Sequence, residues 1–173
     1  KQHGAGASTF SDWWAYKFEV NDAIPYNAAI LNQAGVVTAI NSDDAEMGRR
    51  LNQEAAKAVK YGKTSEEDAW KMVTLNPAKL LHLDNRIGSL KVGKDADIVI
   101  WSDNPLSIYA KVEQTYIDGE CYYDQKNNLS NQERDRNEKI RIINKLSNIK
   151  GNNKIKDRPR KEKLYHCDTI EHE

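Results

Sequence analysis

Short apolar runs alternate with longer stretches in which apolar residues recur every three or four positions, the pattern of strands joined by helices. Residues 4–10, Gly-Ala-Gly-Ala-Ser-Thr-Phe, predict a short strand running into a loop. Residues 27–33 suit a short helix that Gly35 stops. Residues 36–40 are β-branched and nearly all apolar, as expected of a strand covered on both faces. Residues 46–61 place Met47, Leu51, Ala55, Ala58 and Val59 at helical spacing, and Gly62 ends that helix. Thr64-Ser65-Glu66-Glu67 reads as a capping box, with the Thr64 hydroxyl and Glu67 carboxylate satisfying exposed backbone donors. The helix it opens carries Ala69, Trp70, Met72 and Val73 on its apolar face. Asn76-Pro77 reads as the cap and first-turn proline of another helix, through Leu83.

The texture then changes. Residues 88–94 have turn residues at both ends of a short extended core, and residues 96–101 predict a strand. Residues 112–117 and 120–123 flank Asp118-Gly119, the signature of a type I′ hairpin. These form a small β unit appended to an α/β part. Beyond Asp124 the apolar content collapses. Residues 133–149 predict one amphipathic helix using Ile140, Ile143, Leu146 and Ile149, and residues 151–163 are expected to be disordered.

Charge separates the same two regions. The 173 residues have zero formal net charge, but residues 125–165 hold 13 Lys/Arg against 5 Asp/Glu. A basic tail can neutralise phosphates. This one lacks the interleaved aromatics of a single-strand binder, so a solvated linker is expected and nucleic acid is not expected as a partner. No apolar run approaches the roughly 20 residues that span a bilayer, and the N-terminus lacks a signal-peptide layout. Lys1-Gln2-His3-Gly4 reads like the interior of a domain. Cys121 and Cys167 are too far apart in sequence for a metal or disulfide framework and leave the compartment open.

Candidate chemistry concentrates in residues 35–44, Gly-Val-Val-Thr-Ala-Ile-Asn-Ser-Asp-Asp, where an apolar run stops at two carboxylates and a helix follows. Two readings of Asp43 compete. Ser42, Asp43 or Asp44 could cap the helix, or Asp43 could ligate a divalent metal or act as a base. Asp44 has the same pair of readings, its functional one being contact with substrate. The run Asp12-Trp13-Trp14-Ala15-Tyr16 suits either core packing or the wall of a substrate cleft. The histidines His3, His82, His166 and His172 contain no His-x-His and no pair at i, i+4. His166-Cys167-Asp168 supplies too few ligands for a closed metal site.

Taken in order, these pieces resemble the C-terminal end of a metal-dependent amidohydrolase of the imidazolonepropionase-like kind. The resemblance rests on Thr74-Leu75-Asn76-Pro77-Ala78-Lys79-Leu80-Leu81, followed by Ile87-Gly88-Ser89-Leu90-Lys91-Val92-Gly93-Lys94-Asp95-Ala96-Asp97-Ile98-Val99. Pro105-Leu106 and Thr115-Tyr116-Ile117-Asp118-Gly119 stand where that family has its closing strands.

The resemblance implies an α/β fold: the last two βα units of a TIM-type (β/α)8 barrel, the C-terminal strands of a small β-sandwich, and a helical or disordered basic tail. The corresponding divisions are residues 1–86, 87–124 and 125–173. It implies that Asp43 is the catalytic aspartate and a metal ligand, taking a proton from metal-bound water and passing it to the departing nitrogen. Asp44, Trp13 and Trp14 would face a small amide-type substrate. The cofactor would be a divalent metal, zinc, in the full-length protein. The family's upstream ligands are absent, so this chain alone is expected to bind no catalytic metal and to be inactive. Unpaired barrel strands are expected to drive association with the missing N-terminal segment or with another copy. The competing reading is a non-catalytic module that binds partners through its surface and basic tail.

Overall fold

The computed structural model describes residues 1–149. The expected disorder at 151–163 and the His166-Cys167-Asp168 cluster lie outside the described residues. The chain divides into two compact units, Lys1–Tyr122 and Tyr123–Glu173.

The first unit is built on two parallel strands, β1 (Ala7–Thr9) and β2 (Thr38–Ile40), in register Ala7 to Thr38 and Thr9 to Ile40. Between them runs α1 (Asn27–Gln33), which ends at Gly35 with φ +73°. All three β2 residues are buried, as the unbroken apolar run requires. Three further helices follow: α3 (Leu51–Gly62), α4 (Glu66–Lys71) and α5 (Leu75–Leu80), preceded by the single turn α2 (Ala45–Gly48). The core joins Ala28, Ile40, Ala55, Ala58 and Met72, with Val73 and Leu106 packed against it. Its alanines allow close helix approach. A Cβ at Gly62 would stand 2.1 Å from the Ala29 Cβ, so only glycine fits between α1 and α3 there.

Four sequence expectations are corrected. The helix read over 46–61 is interrupted: Arg50 leaves the helical region at φ −127°, ψ 29°, separating α2 from α3. Ser65, not Thr64, caps α4, its hydroxyl accepting from the Asp68 N–H at 3.1 Å. Thr64 is instead buried. Asn76 does not cap α5. Thr74 stands at that position, and the helix ends at Leu80 rather than Leu83. Pro77 then falls in the first turn, where its missing N–H breaks no intrahelical bond.

The displaced Asn76 has another task. Its buried side-chain amide donates to the Thr38 carbonyl at 2.8 Å, and the Ile40 N–H donates to the Met72 carbonyl at 3.0 Å. Ala7 and Asn41 make the bonds that join β1 to β2. By alternation, Thr38 O and Ile40 N therefore point to the opposite, outer edge of β2. That edge, expected to be unpaired, is covered by α5 and the end of α4.

A second sheet has the order β3-β4-β5, from β3 (Ile98–Trp101), β4 (Val112–Ile117) and β5 (Glu120–Asp124). The hairpin forms as the turn chemistry predicts, with Asp118 and Gly119 at φ +50° and +83°. In residues 88–94 bends and a turn flank Leu90 and Lys91, as the turn residues at both ends predict, and the middle forms no strand. Lys94 holds them, donating to the carbonyls of Asp84 and Ile87 and to the Ser89 hydroxyl. Pro105-Leu106 lies in a loop, not a strand. Asn52 Nδ2 donates to the Pro105 carbonyl at 2.6 Å, and Asn104 Nδ2 to Glu66 at 2.8 Å, fastening the loop to α3 and α4. In the second unit, α6 (Gln125–Ile149) begins earlier than its apolar periodicity suggests.

Asn76→Ala leaves the Thr38 carbonyl buried without its donor. The expected cost is about 1–3 kcal/mol, read by urea unfolding followed through tryptophan fluorescence. An unchanged midpoint and slope would show that the tether contributes nothing.

Candidate active site

Parallel pairing sends the carboxyl ends of β1 and β2 to the same edge of the sheet. The loop carrying Trp13 and Trp14 and the turn carrying Asp43 and Asp44 therefore leave from neighbouring strand ends. The Asn41 N–H donates to the Thr9 carbonyl at 3.0 Å, and Asn27 Nδ2 donates to the Thr9 hydroxyl at 2.7 Å. The first bond fixes the last residue of β1 against the first residue beyond β2, and the second ties it to the start of α1.

Asp43 is exposed in the turn. Its neighbour Asp44 caps α2: Oδ1 accepts from the N–H groups of Glu46 at 2.8 Å and Met47 at 2.9 Å. Ser42 Oγ accepts from the Asp44 N–H and donates to the Asp44 carbonyl, both at 3.0 Å. Of the residues considered as caps, the structure uses Asp44. Its extended backbone, φ −116° and ψ 133°, is the geometry a cap requires.

Trp13 is half-buried and stacks on Phe10, with centroids 4.4 Å apart and planes 13° from parallel. Tyr16 meets its edge at 5.5 Å. Trp14 is 52% exposed, and its backbone N–H donates to the Ala23 carbonyl at 3.2 Å. Trp13 is thus a packed support and Trp14 an accessible surface.

A charged cluster beneath this loop has a weak sequence signal. Ser11 donates to the Glu54 carboxylate, and Lys57 Nζ donates to Glu54 at 2.9 Å and to Asp12 Oδ1 at 2.8 Å. Ser11 and Glu54 are buried. The signal is Glu54 itself, a carboxylate on the stripe that Leu51, Ala55 and Ala58 define. Burial alone pulls the Lys57 ammonium downward, but its hydrogen bonds to Asp12 and Glu54 and their charges outweigh that, so its pKa lies above the ordinary value. The cluster clamps the start of the aromatic loop to α3.

The residues present do not by themselves fit a divalent metal. Among the described residues, no three His, Cys, Asp or Glu side chains come together as a ligand set. Beside Asp43, the Asn41 Oδ1 is buried with no hydrogen-bond partner among the described residues. One exposed carboxylate and one amide oxygen fall short of the three protein ligands of a catalytic zinc.

The profile of the amidohydrolase family matches residues 23–144. Amidohydrolase tasK of Hapsidospora irregularis is 34% identical over 116 residues, covering 66% of this chain and 12% of that protein. Imidazolonepropionase of Thermoplasma volcanium is 35% identical over 85 residues, covering 48% of this chain and 21% of that protein. The crystal structure of an amidohydrolase from Thermotoga maritima superposes with a TM-score of 0.59 at 39% identity, covering 68% of this chain and 30% of the other. The chain thus spans under a third of the length of each.

Two substitutions test the local geometry. Asp44→Ala should destabilise the protein by about 1 kcal/mol while Asp44→Ser retains most of the cap, and equal losses would contradict the capping role. For Lys57, the folded state holds the proton more tightly than the unfolded state. The resulting stability is fully present below the unfolded pKa near 10.5 and is lost as pH rises through the raised folded value. Lys57→Met should reduce stability at neutral pH by about 1–2 kcal/mol and flatten its decline above that pKa, as read by denaturant titrations across pH. A decline as steep as in the parent would exclude Lys57 as its source.

Proposed function

The chain belongs to the amidohydrolase family, and on that premise we propose that it supplies the final part of a site hydrolysing carbon–nitrogen bonds of small amide-type molecules, with Asp43 as the acid–base carboxylate. The supporting observation is the parallel β1–β2 pair, which brings an exposed carboxylate and an exposed indole to one edge of a sheet. Catalytic groups of α/β barrels occupy the carboxyl ends of strands. The reading that β1 and β2 are the last strands of such a barrel rests on the sequence motifs together with this pairing.

Hydrolysis of an amide-type bond needs two proton movements. Water must lose a proton as it adds to the carbonyl carbon, and the nitrogen must gain one before it can leave. A single carboxylate can do both in succession, as base and then as acid. Asp43 is assigned that role. Asp44 braces the turn through Oδ1, and in this reading Oδ2 holds a substrate donor. Trp14 forms one wall of the substrate cleft and Trp13, stacked on Phe10, keeps the loop in place. A divalent ion such as zinc, with Asp43 as one ligand, would need its other ligands from outside the described residues, so no step is assigned to it.

A chimera tests the assignment. Residues 1–124 replace the corresponding region of the Thermotoga maritima amidohydrolase, and hydrolysis of that enzyme's own substrate is measured. Activity should persist in the chimera and fall about 100- to 10,000-fold with Asp43→Asn. An Asp43→Asn chimera as active as its parent would eliminate the acid–base role. The isolated chain supplied with zinc should show no turnover on small amides. Turnover there that Asp43→Asn abolishes would refute the need for outside ligands.

A further inference from the structure

Residues 84–94 and α5 border a cavity that the hydrolase reading does not use. Its volume, about 450 Å³, falls in the range of small-molecule sites. Lys79, Asp84, Ser89, Lys91 and Lys94 line it. Among the described residues that do so, Asp84 is the one carboxylate, so three ammonium groups against it leave an excess of two positive charges. Arg86 and Asp95, in the same stretch of chain, pair with each other at 2.8 Å and do not alter that excess.

The three lysines differ in what they offer. Lys94 spends all three of its protons locally, on the carbonyls of Asp84 and Ile87 and on the Ser89 hydroxyl. These partners are neutral, so its charge is held in place without being cancelled. Ser89 accepts from Lys94, which leaves the hydroxyl's own proton with no acceptor among the described residues. Lys79 and Lys91 are exposed and form no ion pair among the described residues. One belongs to α5 and the other to the loop after it. A fixed cation, two uncommitted ammonium groups and one hydroxyl donor together make a receptor for an anion.

We propose that this cavity binds the phosphate group of a small phosphate monoester. Such a group carries a charge of about −1.5 to −2 at pH 7 and three acceptor oxygens. That matches the excess charge and the donors of Lys79, Lys91 and Ser89. A monocarboxylate would cancel half of the charge and offers two oxygens. Leu75 and Val92 line the same cavity and give the carbon part of an ester an apolar contact. The spacing Gly88-x4-Gly93-Lys94 is shared with the phosphate-cradling loops of nucleotide-binding proteins. Here, however, the loop lies between α5 and β3 instead of joining a strand to a helix. Asp95 replaces the Ser or Thr that holds magnesium, and Lys94 is turned into its own loop. The ligand is therefore a single phosphate group, not a nucleoside triphosphate.

Titration of the full chain with glycerol phosphate, followed through the backbone N–H resonances of residues 88–94, tests the assignment. A saturable shift is expected in the millimolar range, absent with glycerol and with chloride at the same ionic strength. Lys79→Gln and Lys91→Gln, both at exposed positions, should each weaken binding about tenfold. Asp84→Asn removes the opposing charge and should tighten it several-fold. No saturable shift overturns the proposal, as does a shift that chloride reproduces. Binding left unchanged when Lys79→Gln and Lys91→Gln are combined also overturns it, because cations elsewhere would then be responsible. Sedimentation with phosphatidylcholine vesicles containing phosphatidic acid identifies the source of the ester. Capture that the two lysine substitutions abolish would uphold the site with a lipid headgroup as its ligand. A saturable shift without capture would uphold it for a soluble ester.

Discussion

The outer edge of β2 is the constraint on which the first unit depends. A two-stranded parallel sheet cannot stand in water, because each strand offers one edge of unpaired donors and acceptors. Here the Asn76 amide and the Met72 carbonyl take up the Thr38 carbonyl and the Ile40 N–H. Both partners come from the helical segment after β2, so the chain supplies its own edge cover. Met72 and Ile40 also belong to the same apolar cluster. The hydrogen bonds and the core therefore form together, and weakening either exposes the other.

Packing around that edge is close and made from small residues. Alanines at 28, 55, 58 and 69 let the helices approach, at the cost of little apolar area per residue. Large apolar side chains elsewhere stay outside this core, with Phe18, Leu90, Val92 and Tyr109 all mostly exposed. Small domains bury a limited fraction of their surface, and polar ties carry the remainder of the organisation. The Ser11–Glu54–Lys57–Asp12 cluster holds the aromatic loop, Lys94 holds residues 84–89, and Asn52 and Asn104 hold the loop at 103–106. The charged ties set position more than stability, since each ion must be taken partly out of water. They matter for function because a loop facing a substrate has to be placed, not merely attached.

Membership of the amidohydrolase family gives the carboxylates a chemical context, and the structure divides their work. Asp44 spends its Oδ1 on the first turn of α2, which leaves Asp43 as the exposed member of the pair. The apolar stripe of α6 lies in the second unit.

Much of the secondary structure was legible locally. The buried strand at β2, the helix ending at Gly35, the Asp118-Gly119 hairpin and the apolar stripe of α6 follow from periodicity and turn chemistry within a few residues. The family was legible from motif order. Two misses share one cause. Asn76 reads locally as a cap and Glu54 only as part of a helix, because distance in sequence hides their partners. Asn76 meets Thr38 across 38 residues, and Glu54 meets Ser11 across 43. A local window scores a polar residue by what its neighbours could accept. Only the folded chain decides which buried carbonyl or carboxylate needs it more. The sequence alone established that two carboxylates end a buried strand. Tertiary structure determined that Asp44 caps the helix while Asp43 remains exposed, because the start of α2 needed an acceptor and Asp44 alone stood in the geometry to provide one.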